Sequence, residues 1–124
     1  MTYDPNNIFN KMINREIEVP ILYEDEYGIV IQDINPAANT HLLIMPKSQS
    51  TSFDDFMQTQ TPEFVAGFFA IVQKMAAKYN LIDSGYRIIT NHGPDAAQSV
   101  MHFHIHLLGG ELLGPLTHKD RFHK

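Results

Sequence analysis

The chain contains no cysteine. Disulfides, thiolate zinc sites and a cysteine nucleophile are therefore excluded, and the absence fits a reducing compartment. Basic charge is also scarce: 9 Lys and Arg stand against 14 Asp and Glu, for a formal net charge of -5. That balance argues against a surface that coats nucleic-acid phosphates, although one local pocket could still hold a single small phosphate ester. No apolar stretch approaches the roughly 20 residues of a membrane span. The opening "MTYDPNNIFNKM" lacks the basic-then-apolar pattern of a secretory signal. The expectation is a soluble, cytoplasmic protein. Composition is otherwise ordinary, 44% hydrophobic and 19% charged over 124 residues, which is the size of a single domain.

Asn6 or Asn7 can cap a short helix carrying Ile8, Phe9, Met12 and Ile13 on one face. "ILYED" (21–25), "YGIVIQDI" (27–34) and "HLLIMPK" (41–47) read as three strands separated by turn residues. Residues 48–60 are polar and short-chained, so they read as a loop. Thr61-Pro62-Glu63 is a helix start, and apolar residues at helical spacing carry that helix to about Tyr79. "YRIIT" (86–90) and residues 100–108 complete five strands, with the Gly/Pro/Asp loop "NHGPDAAQS" between them. Short links argue for a five-stranded antiparallel sheet with two helices on one face, an α+β domain.

The feature that carries chemistry is "AAQSVMHFHIHLLGG" (96–110), which places His102, His104 and His106 at alternate positions. On a strand these share one face, while Met101, Phe103, Ile105 and Leu107 point to the hydrophobic side that carries the helix. Same-face neighbours stand roughly 6.6 Å apart, so convergence of all three on one metal ion is awkward. No Asp, Glu or Cys sits at ligand spacing within the motif. A reactive role suits the residues better. Neutral imidazole is a competent nucleophile toward phosphorus, and a second histidine kept protonated beside a phosphate could serve the leaving group. The preceding Ala96, Ala97, Gln98 and Ser99 offer small side chains, backbone N–H groups and a hydroxyl for an anion.

"QSVMHFHIHLLGG" resembles the His-x-His-x-His-x-x motif of the histidine triad (HIT) superfamily. "IFNKMINREI" (8–17), "DIN" (33–35), "THLLIMPK" (40–47) and "GYRIITN" (85–91) are similar to its Hint branch, the purine nucleoside phosphoramidases. The resemblance covers essentially residues 6–110. It implies attack on the α-phosphorus by His104, with His106 at the phosphate and leaving group and His102 supporting the network. It further implies that Ser99 helps to protonate the leaving group and that His41 orients the constellation. Asp33 would bond the ribose hydroxyls, and Asn91 the phosphate and sugar. Ala97 and Gln98 fall in the phosphate loop, while Ile8, Phe9, Met12, Ile31 and Ile34, with Gln32 beside them, would form the slot for the base. No cofactor is implied as required, and zinc is not expected to take part in the chemistry. Partners implied are a purine nucleotide (AMP or GMP) and a second copy of the chain, the two five-stranded sheets joining into one of ten strands. The apolar residues Phe68, Phe69 and Ile88 suit such a contact.

The chain departs from the family where Ala96 and Ala97 replace glycines, where Gln49 follows the Pro-Lys in place of histidine, and in the tail 111–124. An alanine at a position needing positive φ would be strained. The leading function is hydrolysis of purine nucleoside phosphoramidates through a nucleotidyl-histidine. The alternatives are a dinucleoside polyphosphate hydrolase, a nucleotide-binding interaction module with incidental hydrolysis, and a zinc-binding protein.

Overall fold

The computed structural model describes residues 2–120. In chain order the elements are α1 (Ile8–Ile13), β1 (Tyr23–Glu24), β2 (Gly28–Gln32), β3 (Thr40–Pro46), α2 (Phe53–Thr59), α3 (Pro62–Lys78), β4 (Tyr86–Ile89) and β5 (Ile105–Gly109). The five strands form one antiparallel sheet in the order β1-β2-β3-β5-β4. The turn into β2 is built by Asp25, whose Oδ1 accepts from the Tyr27 and Gly28 amides at 2.8 and 3.3 Å. Gly28 is required there, because a Cβ would stand 2.5 Å from the Met45 carbonyl oxygen across the ladder.

Strand alternation sorts the sheet into two apolar faces. Val30, Leu42, Ile44, Ile105 and Leu107 pack with Phe68, Ile71, Val72 and Met75 of α3. Ile29, Ile31, Leu43 and Met45 point the other way and pack with Phe9 of α1. His106 pairs with Leu43 across β3 and β5, so it stands on the α1 face. The helices thus lie on both faces rather than on one, because α1 covers the face that the histidines need.

Three other expectations are corrected. Residues 48–60 are not all loop: α2 forms there, capped by Ser52 Oγ accepting from the Asp55 amide and anchored by Phe56, which is fully buried. Its acidic first turn (Asp54, Asp55) suits the positive helix end. The last strand begins at Ile105, not at residue 100. Upstream of it the backbone finds partners outside a ladder: Phe103 N–H donates to the Ser50 carbonyl, and the His104 carbonyl accepts from Thr90 Oγ1. Finally, Phe68 has no exposed surface and packs inside the sheet–helix core, so it is unavailable to a partner. No helix among the described residues is long and apolar enough to cross a membrane.

Candidate active site

His102 is fully buried and held at both ring nitrogens. Its Nε2–H donates to the Pro46 carbonyl at 2.8 Å, which can only accept, so Nδ1 carries the lone pair that takes the Tyr3 O–H at 2.7 Å. Burial pushes this imidazole down to about 4, outweighing the Pro46 bond, which favours the charged form. It is neutral at physiological pH. The His102 carbonyl in turn accepts from Nδ1–H of His104 at 2.7 Å. That bond fixes the His104 tautomer and leaves Nε2 with its lone pair. His104 is itself buried, its Nδ1 bonded and its ring met edge-on by Phe9 at 4.8 Å. Burial lowers its proton affinity as well, so the free base dominates at neutral pH.

The third histidine sits in a proton-ordered chain. The Ala37 amide donates to His41 Nδ1 at 3.0 Å, which places the His41 proton on Nε2. Nε2–H then faces His106 Nδ1 at 2.9 Å and Asp33 Oδ2 at 3.3 Å. His106 is left with its proton on Nε2. Burial, and then repulsion from His104 and His41, push His106 down to about 4. A histidine kept protonated beside the phosphate is therefore not what His106 supplies in the free protein; it offers a neutral N–H donor.

Ligand atoms of Asp33, His41 and His106 lie within 4.8 Å of one another, close enough to test as a metal site. The His41 tautomer argues against it. A metal-bound imidazole carries its proton on the outer nitrogen and donates it to a neighbouring group. Here the outer nitrogen, Nδ1, accepts from a backbone amide that cannot accept in return. The three residues form a hydrogen-bond relay, and they do not fit a metal ion without breaking the Ala37 bond.

The loop before the triad is laced to itself. Amides of Ala97 and Gln98 donate to the carbonyls of Pro94 and Gly93 at 3.0 and 3.1 Å, so these two turn inward rather than toward an anion. The Gln98 side chain accepts from the Gly93 amide and donates to the Thr51 and Val100 carbonyls, which commits it to structure. Asn91 Nδ2 closes the loop onto the Ala96 carbonyl at 2.7 Å. Ser99 is exposed. Ala97 adopts φ 59 and ψ 39, the left-handed conformation that glycine takes without strain. Ala97→Gly is expected to raise stability by about 0.5 kcal/mol, the relieved Cβ strain exceeding the extra chain entropy of glycine. A urea midpoint moving up at constant slope would show it, and an unchanged or lower midpoint would refute it.

Phe9 and Ile31 are buried and Met12 half-buried in one apolar cluster, of which Phe9 meets His104. Ile8 and Ile34 are not enclosed: Ile34 is 91% exposed at the rim, next to exposed Gln32. Asp33 does two things at once, since Oδ1 accepts from the Asn35 amide to shape the turn while Oδ2 faces His41. Tyr3, Ala37 and Pro46 are contributors that sequence reasoning passed over. Ala37 acts only through its backbone amide, for which the side chain gives no signal.

Residues 14–112 match the family described as "HIT domain". The chain belongs to this family. A HIT-like protein of Azospirillum brasilense is 42% identical over 118 residues, covering 95% of this chain and 97% of that one. The HIT protein of Escherichia coli strain K12 named "Purine nucleoside phosphoramidase" is 37% identical over 113 residues, 90% of this chain and 94% of its own. Among solved structures, a histidine triad protein from Clostridium difficile superposes with a TM-score of 0.83 at 31% identity, covering 94% of this chain and all of the other. The five-stranded antiparallel sheet is the HIT fold that this chain shares with that structure.

Proposed function

We propose that the protein hydrolyses the P–N bond of purine nucleoside phosphoramidates through a covalent nucleotidyl-histidine. One observation carries the reading: His104 is held as the neutral Nδ1–H tautomer by the His102 carbonyl, which leaves an unprotonated Nε2. In the first step that lone pair bonds to the α-phosphorus and the P–N bond breaks. The leaving nitrogen takes a proton delivered through the Ser99 hydroxyl, which recovers one from water. His106 Nε2–H donates to a phosphate oxygen, its orientation set by His41 and the Ala37 amide. Water then attacks phosphorus, the N–P bond breaks, and AMP or GMP leaves with His104 restored as the free base. Asp33 at the edge of this relay accepts ribose hydroxyls, and Phe9, Met12 and Ile31 face the base. No metal is assigned a part in these steps, and the cytoplasm is the proposed compartment.

A homodimer joined at β4 completes the reading. Tyr86, Ile88 and Ile89 are 42%, 45% and 37% exposed on this outermost strand of the sheet, and an apolar edge strand of this kind invites pairing with a second copy.

The deciding test is rapid-quench mass spectrometry with an adenosine phosphoramidate. An adenylyl adduct on His104 that forms and decays at the turnover rate is expected. An active protein with no adduct would remove the covalent mechanism, and faster turnover of a diadenosine polyphosphate would move the substrate class to that branch.

A further inference from the structure

Tyr3 lies 99 residues from His102 in the chain, before α1, yet its O–H reaches His102 Nδ1 at 2.7 Å and its ring meets the imidazole edge-on at 5.7 Å. Burial holds the phenol above its usual range, so at neutral pH it keeps its proton and can donate. Among the described residues no buried side-chain nitrogen or oxygen lacks a partner, and the Nδ1 of His102 owes its satisfaction to this one hydroxyl. Remove it and the Nδ1 lone pair is left inside an apolar setting beside Phe9.

We infer that Tyr3 is a positioning residue for the nucleophile. Tyr3 and the Pro46 carbonyl clamp the His102 ring from opposite nitrogens. The clamped residue presents its own carbonyl to His104 Nδ1–H, and that bond places the proton of the neutral ring on Nδ1 rather than Nε2. A ring free to rotate would let residue 102 shift, and with it the acceptor that selects the His104 tautomer. The segment ahead of α1 thus serves the reaction centre through two hydrogen bonds, without touching substrate. The catalytic part of this inference rests on His104 being the nucleophile, as proposed above.

Tyr3→Phe separates positioning from plain anchoring, because it keeps the ring and its edge contact and deletes only the donor. Side-chain nitrogen NMR on the full chain should show His104 almost wholly as the Nδ1–H tautomer in the wild type. In Tyr3→Phe a second, Nε2–H population of His104 is expected, with His102 taking up a proton at higher pH than before. Turnover of the phosphoramidate should fall about tenfold in kcat, with KM unchanged within a factor of two and the acid limb of the kcat profile displaced upward. An unaltered His104 tautomer overturns the inference, and so does a loss confined to KM or to thermal stability. Should the wild type show no turnover, the functional reading fails, while the His104 tautomer in Tyr3→Phe still decides the positioning role.

Discussion

His104→Ala is expected to lower phosphoramidate turnover by on the order of 10⁴-fold, with AMP affinity changed by no more than a few-fold. The size follows from what is removed. Without Nε2 there is no atom to form the covalent intermediate, and water must attack phosphorus directly, aided only by the remaining hydrogen bonds. Nucleotide binding should survive, because the relay proposed to meet the sugar and phosphate, Asp33, His41 and His106, is held by the Ala37 amide and by β3 and β5 rather than by His104. The split between lost kcat and retained affinity distinguishes a nucleophile from a residue that merely shapes the pocket. Steady-state kinetics together with calorimetry of AMP binding measure both halves. Activity within tenfold of wild type would show that another group attacks. Loss of AMP binding in proportion to turnover would assign His104 to recognition instead.

An interaction module with incidental hydrolysis predicts the same loss of turnover in His104→Ala and differs only in leaving the protein's role intact. The geometry gives a reason to prefer chemistry over that reading. His102 is buried, neutral and fully bonded, which is expensive to arrange for a surface whose only task is to bind. The arrangement terminates at the one imidazole nitrogen of the triad whose lone pair is kept free.

Legibility in the sequence followed the range of the interactions involved. α3 was readable to within a residue or two because Thr61, Pro62 and a long apolar stripe are local signals, and the observed helix is Pro62–Lys78. β2 and β3 were readable for the same reason, being dense in Ile, Leu and Val. α2 was hidden because a helix of 7 residues with one fully buried anchor, Phe56, has almost no periodicity to detect. The start of β5 was hidden because Ser50 and Thr90, distant in sequence, take the backbone partners of Phe103 and His104. Phe68 was misassigned to an interface because α3 packs a broad face against the sheet, and spacing alone does not locate the edge of that face. In the site, the order of the histidines was legible while their protonation was not. Which nitrogen carries each proton is set by Pro46, Ala37, His102 and Tyr3, three acting through backbone atoms and one from the far end of the chain. The strain at Ala97 sits between these cases: the residue type raised the question, and the left-handed backbone answered it.

The same protonation pattern makes folding stability sensitive to mild acid. His102 binds a proton near pH 6.5 when unfolded and only at about 4 when folded. Above 6.5 the ring is neutral in both states and contributes nothing to the pH dependence. Below it, the unfolded chain gains a proton that the folded protein refuses, so stability falls as pH drops from 6.5 toward 4 and then levels. Integrated over that window, the loss from His102 alone is about 3 kcal/mol, a large share of the marginal stability of a domain this size. His106 is pushed in the same direction, and being partly exposed it adds to the slope without setting it. Glu24, held low first by its bond to Lys47, loses its contribution only below the ordinary carboxylate range, so it acts later in the titration. Urea midpoints measured at pH 7, 5.5 and 4.5 with constant slope should therefore fall steadily. His102→Gln, which cannot titrate, should flatten a substantial part of that fall, the remainder belonging to His104 and His106, even though the variant begins less stable. A midpoint independent of pH across this window, or a pH slope in His102→Gln equal to that of the wild type, would show that the buried ring is not the group that resists the proton.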